Sequence, residues 1–260
     1  MKFFFLTIPI LLLSACVTPE SQKGNQTEGA VPAEVIPYPT AFQQVLDSHG
    51  GIDTWRSKQS LQFDLVKESG TETHQINLWT REDKVTAPDF AMGYDGSQVW
   101  LMADTSYQGN AVFYHNLIFY FYAMPFVLAD EGIVYSETAP LVVEGKTYPG
   151  IKMSFESGVG TSDKDEYLLH YDPETYQMAW LGYTVTYFTG EKATAFNWIR
   201  YDDWATVDGL VLPNSMSWYD TADGLPTEFR NKLPVSNVRL SGEAMPETTF
   251  AMPAGAEMVE

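Results

Sequence analysis

The chain has 260 residues and carries 34 Asp and Glu against 15 Lys and Arg, a formal net charge of −19. That length bounds it to one large domain or two small ones, and so acidic a surface repels phosphate backbones and sets nucleic acid aside as a partner. A single cysteine excludes both an internal disulfide framework and a cysteine-based metal site.

Residues 1–15 read as a targeting segment. Lys2 is a short positive region, and Phe3 to Leu13 is an apolar stretch interrupted only by Thr7 and Pro9. It is too short to cross about 30 Å of hydrocarbon as a permanent helix. "LLSAC", Leu12 to Cys16, resembles the lipobox of bacterial lipoproteins. The resemblance implies cleavage before Cys16 and a lipid on that cysteine, which anchors the protein to a membrane. Position 17 is Val, not the Asp that favours inner-membrane retention in enterobacterial lipoproteins. The expected location is therefore the outer membrane, with the body facing the periplasm. From Cys16 onward 14 basic residues face 34 acidic ones, a balance of −20. Residues 16–39 are rich in Pro, Gly, Ser, Thr, Gln and Glu, bury little, and read as a flexible tether.

A folded domain is expected over 40–256. Thr40 is placed as a helix N-cap. Phe42, Val45 and Leu46 then share one helix face. Gly50 or Gly51 takes the left-handed conformation that ends the helix. Ile52 to Ser57 reads as a further turn with Trp55 inward. Beyond it the pattern becomes strands: Leu61, Phe63 and Leu65 alternate against Gln62, Asp64 and Val66. Similar runs follow to "SNVRLS", separated by turn signals at Tyr94-Asp95-Gly96, Asp172-Pro173-Glu174, Thr189-Gly190, Asp208-Gly209 and Ala222-Asp223-Gly224. Short strands with tight turns predict an antiparallel meander.

One block interrupts it. From Thr105 to Ala129 there is no Asp, Glu, Lys or Arg, and "HNLIFYFYAMPFVLAD" is dense in aromatic and aliphatic side chains. Its strongly apolar part, Leu117 to Ala129, is shorter than the about 20 residues of a membrane-spanning helix, and Pro125 interrupts it. Two short buried helices are expected instead. Phe119, Tyr122, Phe126 and Ala129 make one helical stripe, and Leu117, Phe121, Met124 and Leu128 another. A segment apolar nearly all round needs cover on several sides, and the concave face of a curved sheet would supply it.

Trp100 and Met102, Met178 and Trp180, and Met216 and Trp218 are each two apart, which on a strand puts both on one face. Trp198 is a fourth contributor. Leu181, Tyr183, Val185 and Tyr187 alternate on the other face. Met with aromatics recurs at surfaces that take varied apolar ligands. The candidate ligand-binding residues are thus Trp100, Met102, Phe119, Tyr122, Met178, Trp180, Met216 and Trp218; the alternative is that they are ordinary core.

The lipobox together with "DSHGGIDTW", "YDGSQVWL", "FYFYAMPFVLAD", "YDPETYQMAWLGYTVTY" and "VDGLVLP" resembles the DUF6503 lipoproteins of Bacteroidota-type bacteria, over most of Thr40 to Pro253. The "DGLVLP" hairpin and the helix-then-meander order also resemble LolA/LolB-like periplasmic proteins. The resemblance implies a mainly β fold: a strongly curved antiparallel sheet, an incomplete barrel, with short helices plugging its concave face. It also implies a cavity for a lipid or acyl chain. It carries over no catalytic or binding residue.

Groups for catalysis are sparse. His49, His74, His115 and His170 are scattered without metal-ligand spacing. His49 reads as a helix C-terminal residue and His115 as a satisfied buried histidine. Asp163, Asp165 and Glu166 lack the ligand count and central glycine of a calcium loop, and "YDDW" at 201–204 is similar. There is no G-x-S-x-G elbow and no phosphate-binding loop. The expectation is a non-enzymatic envelope lipoprotein that binds an apolar ligand, with no metal and no cofactor. A subunit of an envelope complex, with a protein partner and a packed core, is the alternative. A hydrolase using His49 or His115 with a nearby carboxylate is the third reading.

Overall fold

Phe42, Val45 and Leu46 are all buried on one face of α1 (Thr40–Ser48). This comes from a computed structural model, which describes residues 38–104, 107–156 and 163–260. The targeting segment, Cys16 and the tether as far as 37 lie outside the described residues. Thr40 is not the N-cap. Pro39 holds that position, its carbonyl accepting from the Gln43 N–H at 3.0 Å, so the helix starts one residue early with no side-chain cap. The helix ends as its glycines predict, with Gly50 at φ 103 and Gly51 at φ 87. The Gly51 N–H closes back on the Leu46 carbonyl at 2.9 Å. A second turn, α2 (Ile52–Arg56), buries Trp55.

A five-stranded meander follows: β1 (Ser60–Lys67), β2 (Gly70–Asn77), β3 (Asp83–Thr86), β4 (Phe90–Tyr94) and β5 (Val99–Ala103). The aromatic block is α3 (Ala111–Tyr114), α4 (Leu117–Tyr122) and a 3-10 turn (Phe126–Ala129). Each piece is a turn or two long, and among the described residues no helix is long and apolar enough to cross a membrane. The chain re-enters the sheet at β6 (Ile133–Glu137). A hairpin of β7 (Leu141–Val143) and β8 (Lys146–Tyr148) precedes β9 (Gly150–Phe155), β10 (Tyr167–Tyr171), β11 (Met178–Tyr183) and β12 (Asn197–Arg200). A hairpin of β13 (Trp204–Val207) and β14 (Leu210–Pro213) leads to β15 (Ser215–Ala222), β16 (Leu225–Ser241) and β17 (Glu257–Val259). The folded part therefore runs past 256, because β17 pairs with β5.

Thirteen strands form one antiparallel sheet in the order β17-β5-β4-β3-β2-β1-β16-β15-β12-β11-β10-β9-β6. Its two edge strands are not paired with each other, so it stays open. The fold is mainly β with few helices, as the turn spacing implied. Leu61, Phe63 and Leu65 of β1, Leu169 of β10, Leu181 of β11, Ile199 of β12 and Met216 of β15 share one core with α1, α4 and the 3-10 turn. The helical block lies on that face.

The Trp and Met pairs do not share this face as strand alternation implied. At β10–β11 the register slips: His170 faces Trp180 and Tyr171 faces Met178, which leaves Ala179 extra. Such a bulge shifts the alternation that follows it. Met178 and Leu181 point to the helical side, whereas Trp180 joins Trp198 and Leu141 in a cluster on the outer side. Trp198 is therefore not a contributor to the helical face either. On the other half of the sheet, Val85, Met92 and Ala111 form the inner cluster with Val99 and Leu101. Trp100 and Met102 alternate with those strand positions and face away. Trp100 donates its indole N–H to the Phe250 carbonyl at 3.0 Å, and Met102 is 41% exposed. Met216 and Trp218 do lie together in the main core.

Candidate ligand cavity

The histidines fill structural positions. His49 is wholly buried at the end of α1. Its Nδ1–H donates to the Val211 carbonyl at 3.0 Å, and its Nε2 accepts the Met178 N–H at 3.1 Å. Both ring nitrogens are thus committed to backbone, and burial lowers its pKa to about 4. His170 is lowered to about 4 for the same reason, with Nδ1 at 3.2 Å from the Tyr148 carbonyl. His115 does meet a carboxylate, Asp83 Oδ2 at 2.6 Å, and both are buried. Burial pushes the Asp83 carboxyl up, against the pull of His115. Beside them His74 Nε2 bonds Glu72 Oε1 at 2.8 Å. The same carboxylate takes Lys67 at 2.8 Å and the Tyr114 hydroxyl at 2.7 Å. Burial opposes ionisation of Glu72, but His74 and Lys67 outweigh it and hold its pKa near 2. This polar network ties α3 to β1, β2 and β3; none of its members lines the cavity described next.

That cavity has a volume of about 350 Å³. It lies on the far flank of the helical block. One wall is helical: Val112 and Phe113 of α3, Leu117 and Tyr120 of α4, and Val127 and Leu128 of the 3-10 turn. The opposite wall is Ile133 of β6, Phe155 of β9, Tyr167 of β10 and Tyr183 of β11. Val185 and Tyr187 complete it from the segment after β11, and Phe113 packs on Tyr187 at 5.0 Å between ring centres. Burial pushes the hydroxyls of Tyr120, Tyr167 and Tyr183 up, so these walls stay uncharged. The remaining polar groups are Asn116, Thr184, Asp165, Arg81, Asp130 and Glu131. Asp165 Oδ1 accepts from the Thr186 N–H at 2.8 Å and the Thr184 hydroxyl at 3.1 Å, which pins that wall segment. Glu166 pairs with Lys152 at 2.9 Å and Lys192 at 2.5 Å. Among the described residues no cluster of three or more His, Cys, Asp or Glu could hold a metal ion.

The sequence-derived ligand residues sit elsewhere. Trp100, Met102 and Trp180 are on the outer side of the sheet, as described. Phe119, Tyr122, Met178, Met216 and Trp218 are packed core, Tyr122 lying on Phe63 at 4.3 Å between ring centres. Trp218 comes nearest in function: its indole N–H donates to the Tyr183 hydroxyl at 3.2 Å and so braces a cavity residue from behind. The usable signal was the alternation Tyr183, Val185, Tyr187. All three are half-buried, and all three line the space.

Residues 98–209 match the DUF6503 family model, a family of unknown function. Within the DUF6503 region lie all the lining residues except Arg81. Among curated proteins none matches the chain. Of solved structures, a DUF1329 family protein from Desulfovibrio piger is 11% identical, covers 81% of this chain and 95% of its own, and has a TM-score of 0.47. A LolA superfamily protein from Nitrosomonas europaea is also 11% identical, with 81% and 97% covered and a TM-score of 0.45.

Proposed function

We propose that this is a lipid-anchored cell-envelope protein, held at the outer membrane through Cys16 and facing the periplasm, that binds a lipid or acyl chain in the cavity. One observation carries the reading: about 350 Å³ of apolar-walled space that the protein's own side chains leave open. Native interiors leave few voids larger than a water molecule, and an engineered cavity of about 150 Å³ already holds benzene. A space about twice that size, between two largely apolar walls, has room for an acyl chain. The protein acts by binding, not by catalysis; the commitment of both His49 nitrogens to backbone supports that.

Two substitutions separate cavity from core. Ile133→Trp puts an indole into the space from β6. It is expected to abolish binding of a fluorescent fatty-acid analogue while the melting temperature holds. Met178→Trp sits in packed core, where the residue is 1% exposed. There the larger ring should cost about 1–3 kcal/mol. A wild-type protein that binds no analogue, or an Ile133→Trp variant that binds as the wild type does, defeats the reading.

The anchor has its own test. Wild-type protein is expected to label with radioactive palmitate and to sediment with membranes, and Cys16→Ala to do neither. Retention of the Ala variant on membranes after a carbonate wash would mean that another segment holds it.

A further inference from the structure

We propose that Arg81, assisted by Arg56 and Lys58, seats the anionic head, a carboxylate or phosphate, of the ligand whose chain lies in the cavity. The proposal rests on the cavity reading above. In a chain of net charge −19 a second space of about 180 Å³ is lined by Arg56, Lys58 and Arg81 against a single carboxylate, Asp130. Arg81 and Asp130 line both spaces. A chain lying in the larger one therefore brings its head to this guanidinium.

The Arg81 guanidinium is only partly paired. Arg81 Nη2 donates to Asp130 Oδ2 at 2.6 Å, but Nη1 is buried with no partner. A buried N–H without an acceptor is destabilising, and a carboxylate or phosphate is the acceptor that a planar guanidinium matches best. The guanidinium is held in orientation over the Phe119 ring, 5.3 Å from its centre. Its backbone stands at φ 64, a left-handed conformation uncommon for any residue but glycine. Arg56 spends Nη2 on two neutral acceptors, the Tyr38 hydroxyl at 2.9 Å and the Ala129 carbonyl at 3.3 Å. Lys58 pairs with Asp208 at 2.5 Å. The acids of the larger space do not form a rival site: Asp130 is taken by Arg81, Asp165 holds Thr184 and Thr186, and Glu131 is exposed.

The test is displacement of the fluorescent analogue by dodecanoate, dodecyl phosphate, dodecanol, dodecylamine and inorganic phosphate. Dodecanoate and dodecyl phosphate are expected to displace at about ten-fold lower concentration than dodecanol, or about 1.4 kcal/mol. That preference should shrink as salt is raised. Arg81→Gln should collapse the acid-to-alcohol ratio to about one. Since that change strands Asp130, Arg81→Gln/Asp130→Asn keeps the test valid if the single variant melts early. Inorganic phosphate is expected to displace nothing; displacement by it at the dodecanoate concentration would detach the head site from the cavity and overturn the proposal. Equal displacement by acid and alcohol, or a preference for dodecylamine, overturns it while the cavity reading stands. Binding of no probe at all removes both.

Discussion

Lowering the pH from 6.5 to 4 is expected to strip about 5–6 kcal/mol from the stability of this protein, through His49 and His170. Each has a native pKa near 4 against the usual 6.5 of histidine, because burial disfavours the imidazolium. Between those limits the unfolded chain binds the proton and the native one does not, so stability is full above pH 6.5 and falls as the pH drops. Each histidine contributes about 1.4 kcal/mol per pH unit across that window, or about 3 kcal/mol by its end. Their sum is a large share of the 5–15 kcal/mol that holds a typical domain together. The carboxylates act lower or in the opposite sense. Glu72 is held near 2 against the usual 4.5 of a glutamate, so its contribution is kept to pH 4.5 and lost only as the pH falls toward 2. Asp83 is raised, so its protonation favours the native state as the pH falls. Urea midpoints between pH 7 and 4.5 read the histidines against the opposing protonation of Asp83 and Asp130, whose carboxyls burial raises. The double variant His49→Gln/His170→Gln should be weaker at neutral pH and flatter below it. An unchanged slope in that variant would assign the acid limb to other groups.

Gly50→Val is expected to prevent folding. A β-carbon there would stand 2.2 Å from the Gly209 carbonyl oxygen and 3.1 Å from Leu210 Cα, and both are backbone. The backbone is also at φ 103, where a β-branched side chain is strained. Neither obstacle can rotate away, because the Val211 N–H is bonded to the His49 carbonyl at 2.9 Å. The cost should exceed about 4 kcal/mol, the range reserved for defects of this kind. Gly51 makes the control. It also has a positive φ, 87, but a β-carbon there meets nothing within 4 Å. With ψ at 147, Gly51 lies in an extended positive-φ region that is nearly glycine-only, so Gly51→Ala should show only that backbone strain, about 1–3 kcal/mol. Soluble yield and urea midpoints compare the two; equal effects would mean that the approach of α1 to the β13–β14 hairpin is not what demands Gly50.

How much was legible from the sequence follows from how local each signal is. The α1 stripe, the paired glycines and the short breaks in the aromatic block depend on near neighbours, and they could be read directly. Asp208-Gly209 and Asp223-Gly224 close their hairpins with positive φ on both residues, as such pairs do. The cavity was not legible in this way. Its walls join the helical block, whose Leu117, Phe121, Met124 and Leu128 stripe lines it, to strands β6, β9, β10 and β11 that come later in the chain, and Ile133 or Phe155 carries no local mark of facing it. The Trp and Met faces misled for two reasons: one extra residue at Ala179 reverses the alternation between Met178 and Trp180, and Trp100 and Met102 keep theirs but on the outer side, which no residue type announces. The head site proposed at Arg81 was not legible because it rests on a position between two spaces that only the fold creates.

The long strand β16 sets the order in which the fold can be completed. Its Leu225–Pro234 half pairs with β15, and its Val235–Ser241 half pairs with β1. The two halves of the sheet meet only there, so β1 waits for a partner made almost at the end of synthesis. Contacts this distant in sequence slow folding, because a long loop closes before any pairing rewards it. Until then the edge of β1 that β16 will cover, flanked by exposed Val66, remains an open template for other strands. A chain that crosses a membrane unfolded would present that edge for the whole of its transit, and would gain from a chaperone that shields it until β16 arrives.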